Sequence, residues 1–282
     1  MTRKLGDGAQ AKVYEAHFEG ENNVNSFAVK TFSSAYAKLN DGAISREFEI
    51  LQKLNGHDNV LKASEHARGN GKLQIPRSIP TDEFDSMARF RSGMDLTEEA
   101  SYMTMELCKQ DLFDLIAEKG PVQNQSLAKY LFKQICSGVS ALHTETGYAH
   151  MDIKLENILI GKDYKLKLCD FGFAQPTSER IIKRLGTEGY IAPEIEAKAY
   201  NETYMGVPAD IFSLGVMLFI IMFGVPPFCG TGPNDRNYRI FRNNPDNFWR
   251  LQPTVKKYVS KHGPVDERLI SLLTNIFQSD PN

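Results

Sequence analysis

Tyr148-Ala149-His150-Met151-Asp152-Ile153-Lys154-Leu155-Glu156-Asn157-Ile158-Leu159-Ile160 sets a dense run of polar side chains between apolar, strand-like ends. Asp152, Lys154 and Asn157 form the pattern D-x-K-x-x-N. Held on one loop, that carboxylate, ammonium and amide can contact a hydroxyl, a phosphate and a metal ion. Downstream, the apolar run Leu166-Lys167-Leu168-Cys169 delivers Asp170-Phe171-Gly172. An aspartate ending a strand before a glycine is well placed to ligate Mg²⁺, which prefers hard oxygens together with substrate phosphates.

Working back toward the N-terminus, Gly6-Asp7-Gly8-Ala9-Gln10-Ala11-Lys12-Val13 places glycines at i and i+2. Such a backbone can lie close over phosphate oxygens with its N–H groups as donors. Alone, it also reads as an ordinary hairpin turn. Strand-like Lys12–Ala16 and Ser26–Lys30 flank the polar tip Glu21-Asn22-Asn23, so Lys30 stands on a strand beneath the turn and can offer phosphates a cation. Ile44, Phe48, Leu51 and Leu54 then recur at spacings of three or four, the mark of an amphipathic helix. Glu47 falls on the apolar side of that helix, ready to orient Lys30, and Glu49 falls on the outer side.

The whole chain fits this local picture. It has 282 residues with 33 basic and 35 acidic side chains, a formal charge of −2. Hydrophobic content of 41% and charged content of 24% are those of a globular protein rather than a disordered one. The charge balance argues against a nucleic-acid binder that relies on phosphate neutralisation. Cys108, Cys136, Cys169 and Cys229 have no C-x-x-C spacing, which argues against a disulfide framework or zinc site and for a reducing compartment. No signal peptide is expected. The most apolar stretch, Leu214 to Phe228, is expected to be too short for a bilayer span and to form a buried helix. From about Gly69 to Glu99 periodicity dissolves, and the segment reads as a mobile surface insert. Strand-like Tyr102 to Leu107 follows. Helical runs Asp111–Glu118, Ser126–His143 and Asp210–Phe223 dominate the rest. The expectation is an α+β chain of two lobes, strand-rich over 1–107 and mainly helical over 108–282.

Taken together, these blocks resemble a eukaryotic protein kinase catalytic domain: Gly-rich loop, Ala28-Val29-Lys30, helix glutamate, H-x-D-x-K-x-x-N, Asp-Phe-Gly and Ala192-Pro193-Glu194. The resemblance runs from about Leu5 to Pro281. It implies ATP and Mg²⁺ as cofactors and a protein hydroxyl as substrate. Lys30, paired with Glu47, would hold the α- and β-phosphates. Asp170 and Asn157 would hold Mg²⁺, Asp152 would accept the hydroxyl proton, and Lys154 would neutralise the γ-phosphoryl. Leu5, Gly6, Gly8, Val13, Ala28 and Leu159 would enclose the nucleotide. Met105 would be the gatekeeper, Glu106 and Cys108 would bind adenine through their backbones, and Asp111 would reach the ribose. Lys154 and Thr187 resemble the serine/threonine branch, with Thr187 bridging Asp152 and Lys154. Glu156 and Asp111 resemble acidic positions that favour basic residues upstream of the target.

Several departures from the family pattern carry expectations of their own. Ala11 replaces the third glycine of the loop, and Phe212 replaces a tryptophan of the central helix, both tolerable. Met151 replaces an arginine that would pair with a phosphorylated activation segment, so dependence on Thr177, Ser178 or Thr187 phosphorylation should be weak. At the end, Asp280-Pro281-Asn282 stops before the arginine expected to pair with Glu194, which reads as a fragment or a trimmed gene product. The run Tyr238 to Trp249 is similar to calcium/calmodulin-type kinases, without an EF-hand loop or inhibitory tail. A kinase-fold scaffold that binds ATP and a partner without turnover is the alternative. No nucleic-acid partner and no membrane segment are expected, and the location expected is cytoplasmic or nuclear.

Overall fold

The computed structural model describes residues 3–7, 11–19, 24–69, 100–197 and 202–278. Gly8, the hairpin tip Glu21–Asn23, residues 70–99 of the expected insert and the chain end 279–282 lie outside them. Five antiparallel strands open the chain: β1 (Arg3–Asp7), β2 (Ala11–Glu19), β3 (Val24–Phe32), β4 (Ala63–Gly69) and β5 (Ala100–Glu106). Their order in the sheet is β1-β2-β3-β5-β4. β3 is therefore interior, and its register sets Lys30 opposite Val13 on one side and Met103 on the other.

Helix α1 (Ser34–Lys53) packs on this sheet and starts ten residues earlier than the apolar spacing at Ile44 indicates. Ser33 caps it by accepting a bond from the Tyr36 amide. Its first half was obscured by Asn40, which breaks helical geometry, and by Asp41-Gly42, which reads as a turn. Ile44, Glu47 and Leu51 face inward, whereas Glu49 is exposed.

The remainder is mainly helical, as expected: α2 (Leu112–Lys119), α3 (Gln125–Ala141), α4 (Pro193–Glu196), α5 (Gly206–Phe223), α6 (Arg236–Asn243), α7 (Pro245–Leu251), α8 (Pro253–His262) and α9 (Glu267–Ile276). Short strands thread between them. β6 (Gln110–Asp111), β8 (Ile158–Ile160) and β9 (Leu166–Leu168) form one small sheet. β7 (Tyr148–Ala149) pairs with β10 (Gln175–Pro176), and β11 (Arg180–Ile181) with β12 (Tyr204–Met205).

The central apolar helix is longer than its expected span. α5 begins at Gly206, four residues before the expected start at Asp210, ends at Phe223 as expected, and its 18 residues are by length and composition enough to cross a bilayer. In this fold 78% of it is buried inside the protein. Its Phe219 meets Phe223, Phe248 and Trp249 ring to ring. One continuous core runs from Ala28, Leu51 and Leu61 in the first part to Phe171, Phe219 and Phe277 in the second.

Candidate active site

Lys30 sits at the back of the cleft between the sheet and the helical part. Its Nζ lies 2.7 Å from Glu47 Oε1 and 2.8 Å from Asp170 Oδ1, so three segments far apart in sequence meet at one cation. Lys30 is 8% exposed and Glu47 2%. Burial alone lowers the lysine's pKa, but the two carboxylates outweigh it and hold the ammonium above its ordinary value. In return, the Lys30 charge keeps Asp170 below the usual carboxylate range. Asp170 adopts a left-handed backbone, φ 63°, directly after the buried Cys169. Asp is among the few non-glycine residues that tolerate it.

The loop after β7 builds the second half of the site. Asp152 Oδ1 accepts a 2.6 Å bond from the Thr187 hydroxyl, and Lys154 Nζ donates to the same hydroxyl at 3.0 Å. Lys154 also stands 2.9 Å from Asp152 Oδ2. Asn157 Nδ2 donates to the Asp152 carbonyl at 2.8 Å, which uses the amide nitrogen and leaves Oδ1 for another partner. Thr187 is thus where the sequence put it, bridging Asp152 and Lys154.

Asp210 is the functional residue that sequence reading missed. It lies in the first turns of α5, 1% exposed, and accepts from the amides of His150 (2.7 Å) and Met151 (2.8 Å) and from His143 (2.8 Å). These bonds hold Met151 in a left-handed conformation, φ 69°, and turn the loop toward Asp152. The Asp152 amide donates to His150 Nδ1, so the opposite ring nitrogen carries the hydrogen that meets the Cys169 carbonyl at 3.0 Å. The sequence had Asp210 as the first residue of the expected central helix, with no role assigned to its carboxylate.

Between these groups lies a cleft of about 570 Å³, the size of a small-molecule site. Leu5, Gly6, Val13, Ala28 and Leu159 line it, with Lys30 and Glu47 at the back and Asn157 and Asp170 toward the loop. Met105, Glu106, Cys108 and Asp111 form the connecting edge. The Cys108 backbone has no hydrogen-bond partner among the described residues, whereas the Glu106 amide donates to the Lys62 carbonyl. The Glu106 side chain turns to the Lys62 amide at 2.8 Å and to Lys167 at 3.3 Å. Asp111 has a duty that the sequence did not reveal: its carboxylate caps α2 through the Asp114 amide at 2.7 Å. Asp152, Lys154 and Thr187 are not in the cleft wall; they meet it through Asn157. Leu61 joins the wall without having been singled out.

Comparison with known proteins agrees with this geometry from end to end: the family described as "Protein kinase domain" matches residues 1–282. The chain belongs to the protein kinase family. It is 28% identical over 289 residues to the serine/threonine-protein kinase CHK1 of Saccharomyces cerevisiae, covering 99% of this chain and 47% of that protein. It is 30% identical over 255 residues to CBL-interacting serine/threonine-protein kinase 17 of Arabidopsis thaliana, covering 87% and 50% respectively. Calcium/calmodulin-dependent protein kinase type 1 of Caenorhabditis briggsae is 30% identical over 231 residues, with 79% and 54% covered. The chain spans about half the length of these curated relatives.

Against the kinase pattern, the departures can now be located. Met151 is buried beneath the activation segment and brings no charge there. Phe212 is buried and contacts Phe277 with ring centroids 5.6 Å apart. Glu194 has no ion pair among the described residues, and burial raises its pKa.

Proposed function

We propose that this kinase domain transfers the ATP γ-phosphoryl group to a serine or threonine hydroxyl of a protein. The observation that carries the reading is the assembled constellation: Lys30 tied to Glu47 and Asp170, and Thr187 tied to Asp152 and Lys154. In this proposal Asp152 orients the attacking hydroxyl and takes its proton, with Thr187 and Lys154 fixing the carboxylate. Lys30 receives the α- and β-phosphates, and Lys154 offsets the charge that gathers on the transferred group. The Cys108 backbone, without a hydrogen-bond partner among the described residues, and the Glu106 carbonyl receive adenine, Met105 borders it as gatekeeper, and Asp111 lies within the wall for the ribose. Catalysis of this kind is mostly positioning and electrostatics around a loose transition state.

Asp170 and Asn157 suit Mg²⁺. They offer hard oxygens, and Mg²⁺ takes few protein ligands, completing its shell with water and phosphate. Among the described residues no group of three or more His, Cys, Asp or Glu side chains could form an all-protein cage. Bound there, Mg²⁺ supplies charge neutralisation on phosphate oxygens.

Basic residues upstream of the target hydroxyl belong to the same proposal, with exposed Glu156 as their partner. A cytoplasmic or nuclear setting fits four free cysteines. Nothing favours the scaffold reading. The test is Mg²⁺-ATP turnover on a pool of basic Ser/Thr peptides, with Asp152→Asn beside it. Turnover on the order of 1–100 s⁻¹ is expected, lost in the variant while ATP binding persists. Equal activity in both proteins, or transfer to tyrosine alone, would refute it.

A further inference from the structure

The activation segment carries a charged cluster that the reaction as described does not use. A single guanidinium nitrogen of Arg184 lies 2.7 Å from Glu188 Oε1 and 2.6 Å from Glu196 Oε2. Arg184 and Glu188 stand on either side of Thr187, the residue that touches the Asp152 carboxylate. Glu196 belongs to α4, whose Pro193 and Ile195 are buried, so it is the anchored member of the three. Gly186 (φ 106°), inside the turn from Arg184 to Glu188, and Gly189 (φ 84°), just after it, adopt left-handed backbones that glycine takes at little cost. Beneath the turn, Met151 offers no charge to hold the segment down.

We propose that Arg184 is a positioning residue: its two ion pairs close the 184–188 turn and brace it on α4, which holds the Thr187 hydroxyl against Asp152. This rests on the kinase reading and adds to it the device that orders the segment without a phosphate. Electrostatics give the direction. Without Arg184, Glu188 and Glu196 are left as two like charges facing each other across the cation's place, and their repulsion opens the turn. Lysine in its place keeps the charge and has three donors on one nitrogen, but its shorter, differently shaped side chain reaches the two carboxylates less well.

The experiment compares Arg184→Ala, Arg184→Lys and Glu196→Gln with the wild-type chain in three readouts: peptide kinetics, melting temperature, and amide hydrogen exchange over residues 185–190. Exposed ion pairs are individually weak, so Arg184→Ala should lower kcat about five- to tenfold. The KM for ATP and the melting temperature should stay the same, and exchange over 185–190 should rise. Arg184→Lys should recover part of both effects, and Glu196→Gln should reproduce them in weaker form. Unchanged kcat and unchanged exchange in Arg184→Ala would overturn the proposal. So would a loss matched by a lower melting temperature that lysine does not rescue, or a change of peptide preference with no change in exchange, which would make Arg184 a substrate contact. Should the wild-type chain transfer no phosphate, the kinase reading falls, and the exchange comparison still decides the clamp.

Discussion

Two of the four cysteines, Cys108 and Cys169, line the cleft, and what decides their reactivity is burial. Burial pushes the Cys108 thiol up to about 12 and the Cys169 thiol well above its ordinary value, with neighbouring carboxylates adding to both. A thiol raised in this way is protonated at neutral pH, and the thiolate is the nucleophile. Cys136, away from the cleft wall, is raised to about 11 by the same cause. Iodoacetamide at pH 7.5 should therefore label exposed Cys229 first and leave the other three nearly untouched. Their labelling should accelerate as pH rises toward 10. Peptide-resolved mass spectrometry reads this directly, and Cys169 modified as fast as Cys229 at pH 7.5 would contradict it. The sequence alone cannot rank the reactivity of Cys169, which depends on desolvation by residues remote in the chain. The same limit separates Glu47 from Asp210. Helical spacing alone turned Glu47 inward, because the partner face was local. Asp210 acts through His143, His150 and Met151, and no local pattern encodes contacts 59 to 67 positions apart.

Elements were legible where hydrophobic periodicity was strong and hidden where it was weak. β3 and β5, interior to the sheet, carry Phe27, Val29, Tyr102 and Met103. β4 reads Ala-Ser-Glu-His-Ala-Arg-Gly, without a β-branched residue or a Phe, Tyr or Trp, and went unread because an edge strand needs fewer of them. Two glycines in helices make the packing testable. Gly138 lies in α3, where an added Cβ would stand 2.5 Å from the Asn59 carbonyl oxygen. That oxygen already accepts from the Leu168 amide at 2.9 Å, and a backbone atom cannot step aside as a side-chain end can. Gly42 in α1 has nothing within 4 Å of the same position. Gly138→Ala should thus lose about 1–3 kcal/mol by overpacking. Gly42→Ala should gain about 0.5–1 kcal/mol by removing unfolded-state freedom from a helical position. Urea titration of the two variants measures both, and the same sign for the two would refute the packing argument.

The two parts of the molecule are joined at the connecting edge of the cleft by a charge that the chemistry does not need. Lys167 on β9 is 3% exposed, three positions before Asp170. Its Nζ stands 3.3 Å from Glu106 at the end of β5 and 3.4 Å from the Asp58 carbonyl after α1. Glu106 in turn accepts from the Lys62 amide at 2.8 Å. One buried ammonium therefore ties the end of the five-stranded sheet to the strand that delivers Asp170. Gly161 makes room for it, since a Cβ there would stand 2.6 Å from the Lys167 Cε. Breaking a fully buried ion pair by removing one partner costs about 3–5 kcal/mol. The Glu106 side chain is 28% exposed and keeps its bond from Lys62, so water can reach the carboxylate that is left behind. Lys167→Met should then cost nearer to about 2 kcal/mol, below that range. Pairing it with Glu106→Gln should restore much of the loss, because the second change removes the stranded charge. If the tie joins the two parts into one cooperative unit, urea unfolding of Lys167→Met followed by tryptophan fluorescence and by circular dichroism should also separate into two transitions. Trp249 reports the helical part, while far-ultraviolet dichroism reports both. Coincident transitions in the single variant, with the double variant no more stable than Lys167→Met, would mean that Lys167 merely fills space between β9 and the connecting edge.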